Sequence, residues 1–310
     1  MKQKRKKWMH VAAVTSLVLL ILLVLWRWQS STLGRVGARK PDPIPPGDYA
    51  YTTEVADQRI QQMMKRHHLP SMAVALINDQ DVVWQEAFGL ANVEQRIPAT
   101  PDTVYRAFSI AKVFTAIETM RLVEEGLVDL DAPITDYLPD FAIQSRFSDS
   151  EPITVRSILA HHSGLPRNEC RSLSSSPDDE EVLEEMVASL EDCFQVYPVG
   201  YRYRYSNVGP DTLGYLIEEM RGESFARYMR ENLLSPIGMK ESAFLSADIL
   251  QDAMVASGYE YYKGDLYPRQ LGDITSLPSG NLYSTLGDMS AFASFVLRDG
   301  EAGAEQIIGS

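Results

Sequence analysis

The chain has 310 residues, 29 Lys and Arg against 42 Asp and Glu, a net charge of −13, and two Cys. This length, with 45% apolar residues, suits a globular protein with a sizeable core and excludes wholesale disorder. Two Cys exclude a disulfide scaffold or a four-cysteine zinc site, and the acidic balance argues against nucleic acid as a partner. The charge is unevenly spread. Residues 1–50 carry nine basic and two acidic side chains, and the rest carries 20 basic and 40 acidic ones.

Residues 1–7 form a basic tail of Lys2, Lys4, Arg5, Lys6 and Lys7. No charge follows from Trp8 to Trp26, a stretch that as a helix rises about 28 Å, close to the hydrocarbon thickness of a bilayer. Trp8, Trp26 and Trp28 stand where interfacial aromatics are expected. The pattern predicts a transmembrane signal anchor over residues 8–28, with the lipid bilayer as its partner. A cleaved secretory signal is the alternative, but Trp26 to Ser31 offers no Ala-x-Ala-like site. Either reading takes the body out of the cytoplasm, and the basic amino terminus stays inside. Pro41, Pro43, Pro45 and Pro46 mark a linker over residues 29–50.

The body, 51–310, opens with a helix from Thr53 to His68, stopped by Pro70. Ser71–Ile77 and Asp81–Ala87 read as two strands around a polar turn. Helices are expected over Ser109–Glu125, Thr154–Ala160, Asn207–Met220 and Phe225–Leu234. Ser176 before Pro177 reads as the N-cap of a further, acidic helix with an apolar stripe of Val182, Leu183, Met186 and Leu190. That helix is read as a solvated face, with a cation site as the alternative. Cys170 and Cys193 bracket it, either as two free thiols or, in an oxidising compartment, as a bridge closing a surface loop. The fold class is α+β: an antiparallel sheet flanked by helices, plus a mostly helical region from about 105 to 240.

Three short patterns carry the chemistry. In Ser109-Ile110-Ala111-Lys112 the i, i+3 spacing puts a hydroxyl and an amine on one helical face. A helix start also supplies free amide donors that favour a developing oxyanion. A lysine that acts as a base has to give up its proton. Val104, Phe108, Ala111, Phe114 and Thr115 make a mostly apolar setting that promotes this. In Tyr205-Ser206-Asn207, Pro198 to Arg204 reads as an extended approach that delivers the phenol to a helix start. A phenol beside an ammonium titrates as a coupled pair and can shuttle the serine proton, and Asn207 suits a substrate amide. In isolation a strand-end Tyr and a capping Asn are the better explanation of that pattern. The third, His161-His162-Ser163-Gly164-Leu165-Pro166, reads as an ordinary helix stop, with neither His assigned a catalytic or metal role.

Taken in order, Ser109-x-x-Lys112, His161-His162-Ser163-Gly164-Leu165-Pro166 and Tyr205-x-Asn207 resemble the serine β-lactamase and penicillin-binding-protein superfamily. The nearest likeness is to the branch of class C β-lactamases, D-alanyl-D-alanine carboxypeptidases and related esterases. Gly89-Leu90-Ala91-Asn92-Val93-Glu94, Thr103-Val104-Tyr105-Arg106 and Pro278-Ser279-Gly280-Asn281-Leu282-Tyr283-Ser284-Thr285 extend it over about residues 53–298. The resemblance implies a β-lactamase/transpeptidase-like fold. It further implies Ser109 as acylated nucleophile, Lys112 as its base or proton partner, Tyr205 as partner base and leaving-group acid, and Asn207 as a contact to substrate amide. Substrates would be small molecules or peptides with a scissile carbonyl, and no metal or cofactor is called for. A non-catalytic module that binds cell-wall peptides is the alternative. The family's third element, a Lys-Ser/Thr-Gly or His-x-Gly, has no match between Tyr205 and Ser310. The expectation is therefore a chain incomplete at its C-terminus and poorly active as it stands, since one missing oxyanion donor costs roughly 10² to 10³ in rate.

Overall fold

The computed structural model describes residues 40–249, 251–302 and 305–309. The basic tail, the anchor expected over residues 8–28 and most of the linker lie outside the described residues. Among the described residues, no helix is long and apolar enough to cross a membrane. The chain divides into two compact units, residues 1–63 and 64–310. Helix α1, Ala50–His67, contains the division and ends with Lys65, Arg66 and His67 in its last turn, where the helix dipole favours cations.

In the second unit, β1 (Ser71–Asn78) and β2 (Asp81–Asn92) form an antiparallel hairpin, with Ser71 opposite Gly89 and Asn78 opposite Asp81. Asp79 takes the left-handed turn position at φ 57°. The strand β2 continues past the expected end at Ala87 and there pairs with β3 (Ile97–Pro98). Gly89, at φ 79°, lets the strand pass close to Pro70, because a Cβ there would lie 2.1 Å from the Pro70 carbonyl oxygen. Among the described residues the other edge of β1 pairs with no strand.

The chain then runs through β4 (Tyr105–Phe108) into α2 (Ala111–Glu124). Helix α2 buries Ala111, Phe114, Thr115, Glu118, Thr119 and Leu122, the repeat of one helical face. Helix α3 (Val155–Leu159), expected over Thr154–Ala160, starts at a Thr154–Ser157 capping box. Helices α4 (Val182–Ala188), α5 (Val208–Arg221) and α6 (Phe225–Met229) follow, the last continuing as a π turn to Leu234. A hairpin of β5 (Gly258–Tyr262) and β6 (Asp265–Arg269) precedes the short α7 (Leu277–Gly280). Strand β7 (Leu282–Ser284) pairs antiparallel with β4, and α8 (Leu286–Leu297) leads to the small pair β8 (Glu301–Ala302) and β9 (Glu305–Gln306). One core runs through α2, α4, α5 and α6, with Phe114, Leu122, Leu183, Met186, Leu216 and Phe225 fully enclosed.

A buried carboxylate ties this core together. Glu118 of α2, fully enclosed, accepts from Arg121 Nη1 at 2.7 Å, Arg221 Nη2 of α5 at 2.8 Å and Tyr228 Oη of α6 at 2.7 Å. The two guanidinium groups and the phenol give both oxygens of this buried carboxyl a donor.

The acidic helix begins later than its N-cap signal suggested, at Val182 instead of Pro177. The Asp179 N–H donates to the Ser176 carbonyl at 3.1 Å and the Val182 N–H to the Asp179 carbonyl at 3.2 Å, so two i, i+3 turns precede the helix. Cys170 and Cys193 are disulfide-bonded across this segment, with Cα atoms 5.4 Å apart. No group of three or more His, Cys, Asp or Glu suited to a metal ion occurs among the described residues.

Within the bridged loop, Glu185 accepts from Ser174 N and Oγ at 2.8 and 2.7 Å and from Ser175 N at 2.8 Å. Hydrogen bonds from Ser175 and Ser174 hold its carboxyl at about 2, below its ordinary 4.5. A depressed folded-state pKa stabilises the fold above the unfolded value and loses that effect as pH falls through the folded one. Denaturant unfolding should therefore show the wild type more stable than Glu185→Gln at about pH 6, with the gap closing towards about pH 2. A gap that stays constant across this window would contradict the assignment.

Candidate active site

The turn that carries Ser109 is set by the residue before it. Phe108 ends β4 in the left-handed region at φ 47°, where a bulky side chain is strained by about 1–3 kcal/mol. Ser109 and Ile110 make the turn, and α2 begins at Ala111, slightly later than expected. Lys112 N bonds back to the Ser109 carbonyl at 3.3 Å, so the hydroxyl and the amine still share one face. Ser109 is exposed and Lys112 is half-buried.

Tyr205 and Asn207 are brought to this turn from far along the chain. Tyr205 Oη lies 2.9 Å from Ser109 Oγ. Lys112 Nζ donates to the Ser279 carbonyl at 2.6 Å, to Asn207 Oδ1 at 2.9 Å and to Ser109 Oγ at 3.5 Å. It also stands 4.9 Å from the centre of the Tyr205 ring. Burial pushes the Tyr205 phenol up, but its contacts with Lys112 and Ser109 and the charges of Lys112 and Arg167 outweigh this and leave it below its ordinary value. All four expected site residues, Ser109, Lys112, Tyr205 and Asn207, thus converge.

Asn207 stands at the N-cap position of α5 but does not cap it with its side chain. Instead Oδ1 takes Lys112, and Nδ2 donates to Asn168 Oδ1 at 2.8 Å. Each group keeps further hydrogen-bonding capacity, one lone pair and one N–H, for a substrate amide. The residues before Tyr205 form turns and irregular backbone and no strand.

The segment read as a plain helix stop is the support of this site. Asn207 N donates to the Arg167 carbonyl at 2.7 Å, and Ser206 Oγ to the Pro166 carbonyl at 2.7 Å. Arg204 N donates to the His161 carbonyl at 2.8 Å. The His161 ring lies 4.9 Å from the Tyr205 ring, and its Nδ1 accepts the Ser206 N–H at 3.3 Å. Burial, followed by the charges of Lys112 and His162, lowers the His161 pKa, which suits a neutral acceptor. Residue order alone carried one hint of this, the position of the segment between the two other motifs.

Beside Ser109 opens a cavity of about 580 Å³, lined by Phe108, Asn168, Asn207, Ile274, Thr275 and Ser279 among others. A larger cavity of about 660 Å³, lined by Tyr105, Arg106 and Tyr283, shares Phe108 with it but contains none of Ser109, Lys112 or Tyr205. The arrangement therefore presents an exposed hydroxyl that lines one cavity, with a phenol of lowered pKa and an ammonium beside that hydroxyl. That constellation can pass a proton away from a nucleophilic serine and back to a leaving group.

Comparison with known proteins identifies the family. The beta-lactamase family model matches residues 56–309. Unguisins hydrolase ungD' of Aspergillus campestris is 32% identical over 72% of this chain and 41% of its own length. Penicillin-binding protein 4 of Amycolatopsis lactamdurans is 29% identical over 83% of this chain and 66% of its own length. The chain thus spans roughly half the length of the curated relatives it matches. Among solved structures, the octameric penicillin-binding protein homologue from Pyrococcus abyssi superposes with a TM-score of 0.70 at 32% identity, covering 82% of this chain and 57% of that one. The chain belongs to the beta-lactamase family, within the β-lactamase/transpeptidase-like superfamily of serine hydrolases that includes penicillin-binding protein homologues.

Proposed function

We propose that this protein is a serine hydrolase that forms an acyl-enzyme at Ser109 on amide, ester or β-lactam carbonyls, in the manner of β-lactamases, D-alanyl-D-alanine carboxypeptidases and related esterases. The observation that carries the reading is the 2.9 Å contact between Tyr205 Oη and Ser109 Oγ with Lys112 beside both. In the reactive form the ionised phenol takes the Ser109 proton as Oγ adds to the carbonyl carbon. Lys112 steadies the negative charge on the phenol. The tetrahedral intermediate then expels its leaving group, which takes the proton back from Tyr205. Water attacks the resulting ester, and the same phenol serves again in reverse. Asn207 offers its free amide capacity to the substrate.

Fluorophosphonate or penicillin-like probes should label the intact protein covalently, and Ser109→Ala should abolish labelling. Tyr205→Phe should slow it by roughly 10² to 10⁴, the usual contribution of a general base. Labelling that persists in Ser109→Ala would overturn the nucleophile. Reversible probe binding with no adduct would favour a binding module over an enzyme.

The uncharged run from Trp8 to Trp26 behind a basic tail supports a single-pass anchor, with the amino terminus cytoplasmic and the catalytic domain outside. Removing residues 1–40 should release the protein from the membrane fraction into the soluble one. Equal partitioning of the two forms would refute the anchor.

A further inference from the structure

None of the steps above uses Asp211, although it is fully buried beside the site. It lies on α5 one turn beyond Asn207, on the same face. Its Oδ1 accepts the Ser279 N–H at 2.9 Å and its Oδ2 the Ser279 hydroxyl at 3.1 Å. Ser279 belongs to α7, and its carbonyl is the shortest contact of Lys112. Two further contacts fix the same short helix. Thr115 Oγ1 of α2 donates to the Pro278 carbonyl at 2.8 Å. Helix α5 also presses on α7 at Gly214, where a Cβ would lie 2.1 Å from Pro278 Cγ.

A lysine side chain is a flexible stem, so its amine goes where its acceptors are. The two close acceptors here are Asn207 Oδ1 and the Ser279 carbonyl. The first sits at the start of α5, and the second is held to α5 by Asp211. We infer that Asp211 is a positioning residue: by clamping Ser279 it fixes the carbonyl that holds the Lys112 amine within reach of Ser109 and Tyr205. The inference rests on the reading of Ser109 as nucleophile. A buried carboxylate is a costly way to hold a turn if stability alone were served. Burial raises the Asp211 pKa to about 7, against the pull of the Ser279 bonds and the Lys112 charge. Its hydrogen bonds to Ser279 hold the turn in either state.

The test is the saturation kinetics of fluorophosphonate labelling on the intact protein, with thermal unfolding to confirm folding. Asp211→Ala should lower the limiting rate roughly 10²-fold, as expected of a misplaced catalytic group, with half-saturation unchanged within about threefold. Asp211→Asn retains an acceptor for the Ser279 N–H and should recover at least about tenfold of that loss. Thr115→Val loosens the same helix from the other side and should slow labelling about five- to tenfold. A wild-type rate in folded Asp211→Ala would overturn the inference. If that variant does not fold, a wild-type rate in Thr115→Val would do so. An Asp211→Asn rate as low as that of Asp211→Ala would also contradict it, because charge and not placement would then carry the effect. Absence of labelling at Ser109 in the wild type would instead overturn the parent reading.

Discussion

The site hangs on how the Lys112 ammonium is held. Its partners are a backbone carbonyl, a side-chain amide oxygen and a hydroxyl, all of them neutral. Among the described residues it forms no salt bridge. That choice matters. A carboxylate in contact with Lys112 would have cancelled its field, whereas neutral acceptors fix its position and leave its charge to act on the phenol 4.9 Å away. The lowered pKa of Tyr205 is the consequence, and a phenol that ionises more readily is a better partner for a serine hydroxyl.

Neutral acceptors work only if the scaffold holds them still. Ser279, Asn207 and Ser109 come from α7, the start of α5 and the turn before α2, and these three helices pack on one another. The Glu118 cluster locks α2 to α5 and α6 beneath the site, at a distance from the chemistry. The His161–Asn168 segment braces the other side by hydrogen bonding to the residues around Tyr205. Two non-glycine residues of the site take the left-handed region, Phe108 before the nucleophile at φ 47° and His161 in the bracing segment at φ 56°.

Much of this was legible in residue order. The i, i+3 spacing of Ser109 and Lys112 survives a slightly later helix start, because spacing tolerates small shifts in a helix boundary. The hairpin of β1 and β2 followed from alternation and a polar turn. What was hidden depends on tertiary contact. Taken alone Asn207 read better as a cap, and only the approach of Lys112 shows what its side chain does. His161 and Asp211 have no local signal, since their meaning lies in partners at 205–206 and 279. The N-cap signal at Ser176 misled because the chain makes separate i, i+3 turns from Ser176 to Asp179 and from Asp179 to Val182 before the helix starts, which a Ser-Pro pair does not reveal.

The central claim is that the Lys112 charge shapes the Tyr205 phenol. An NMR titration with ¹³Cζ-labelled tyrosine, assigned through Tyr205→Phe, measures this directly. The account predicts that Tyr205 titrates below the ordinary tyrosine value in the wild type and moves upward in Lys112→Ala. A Tyr205 titration that does not change when Lys112 is removed would contradict it.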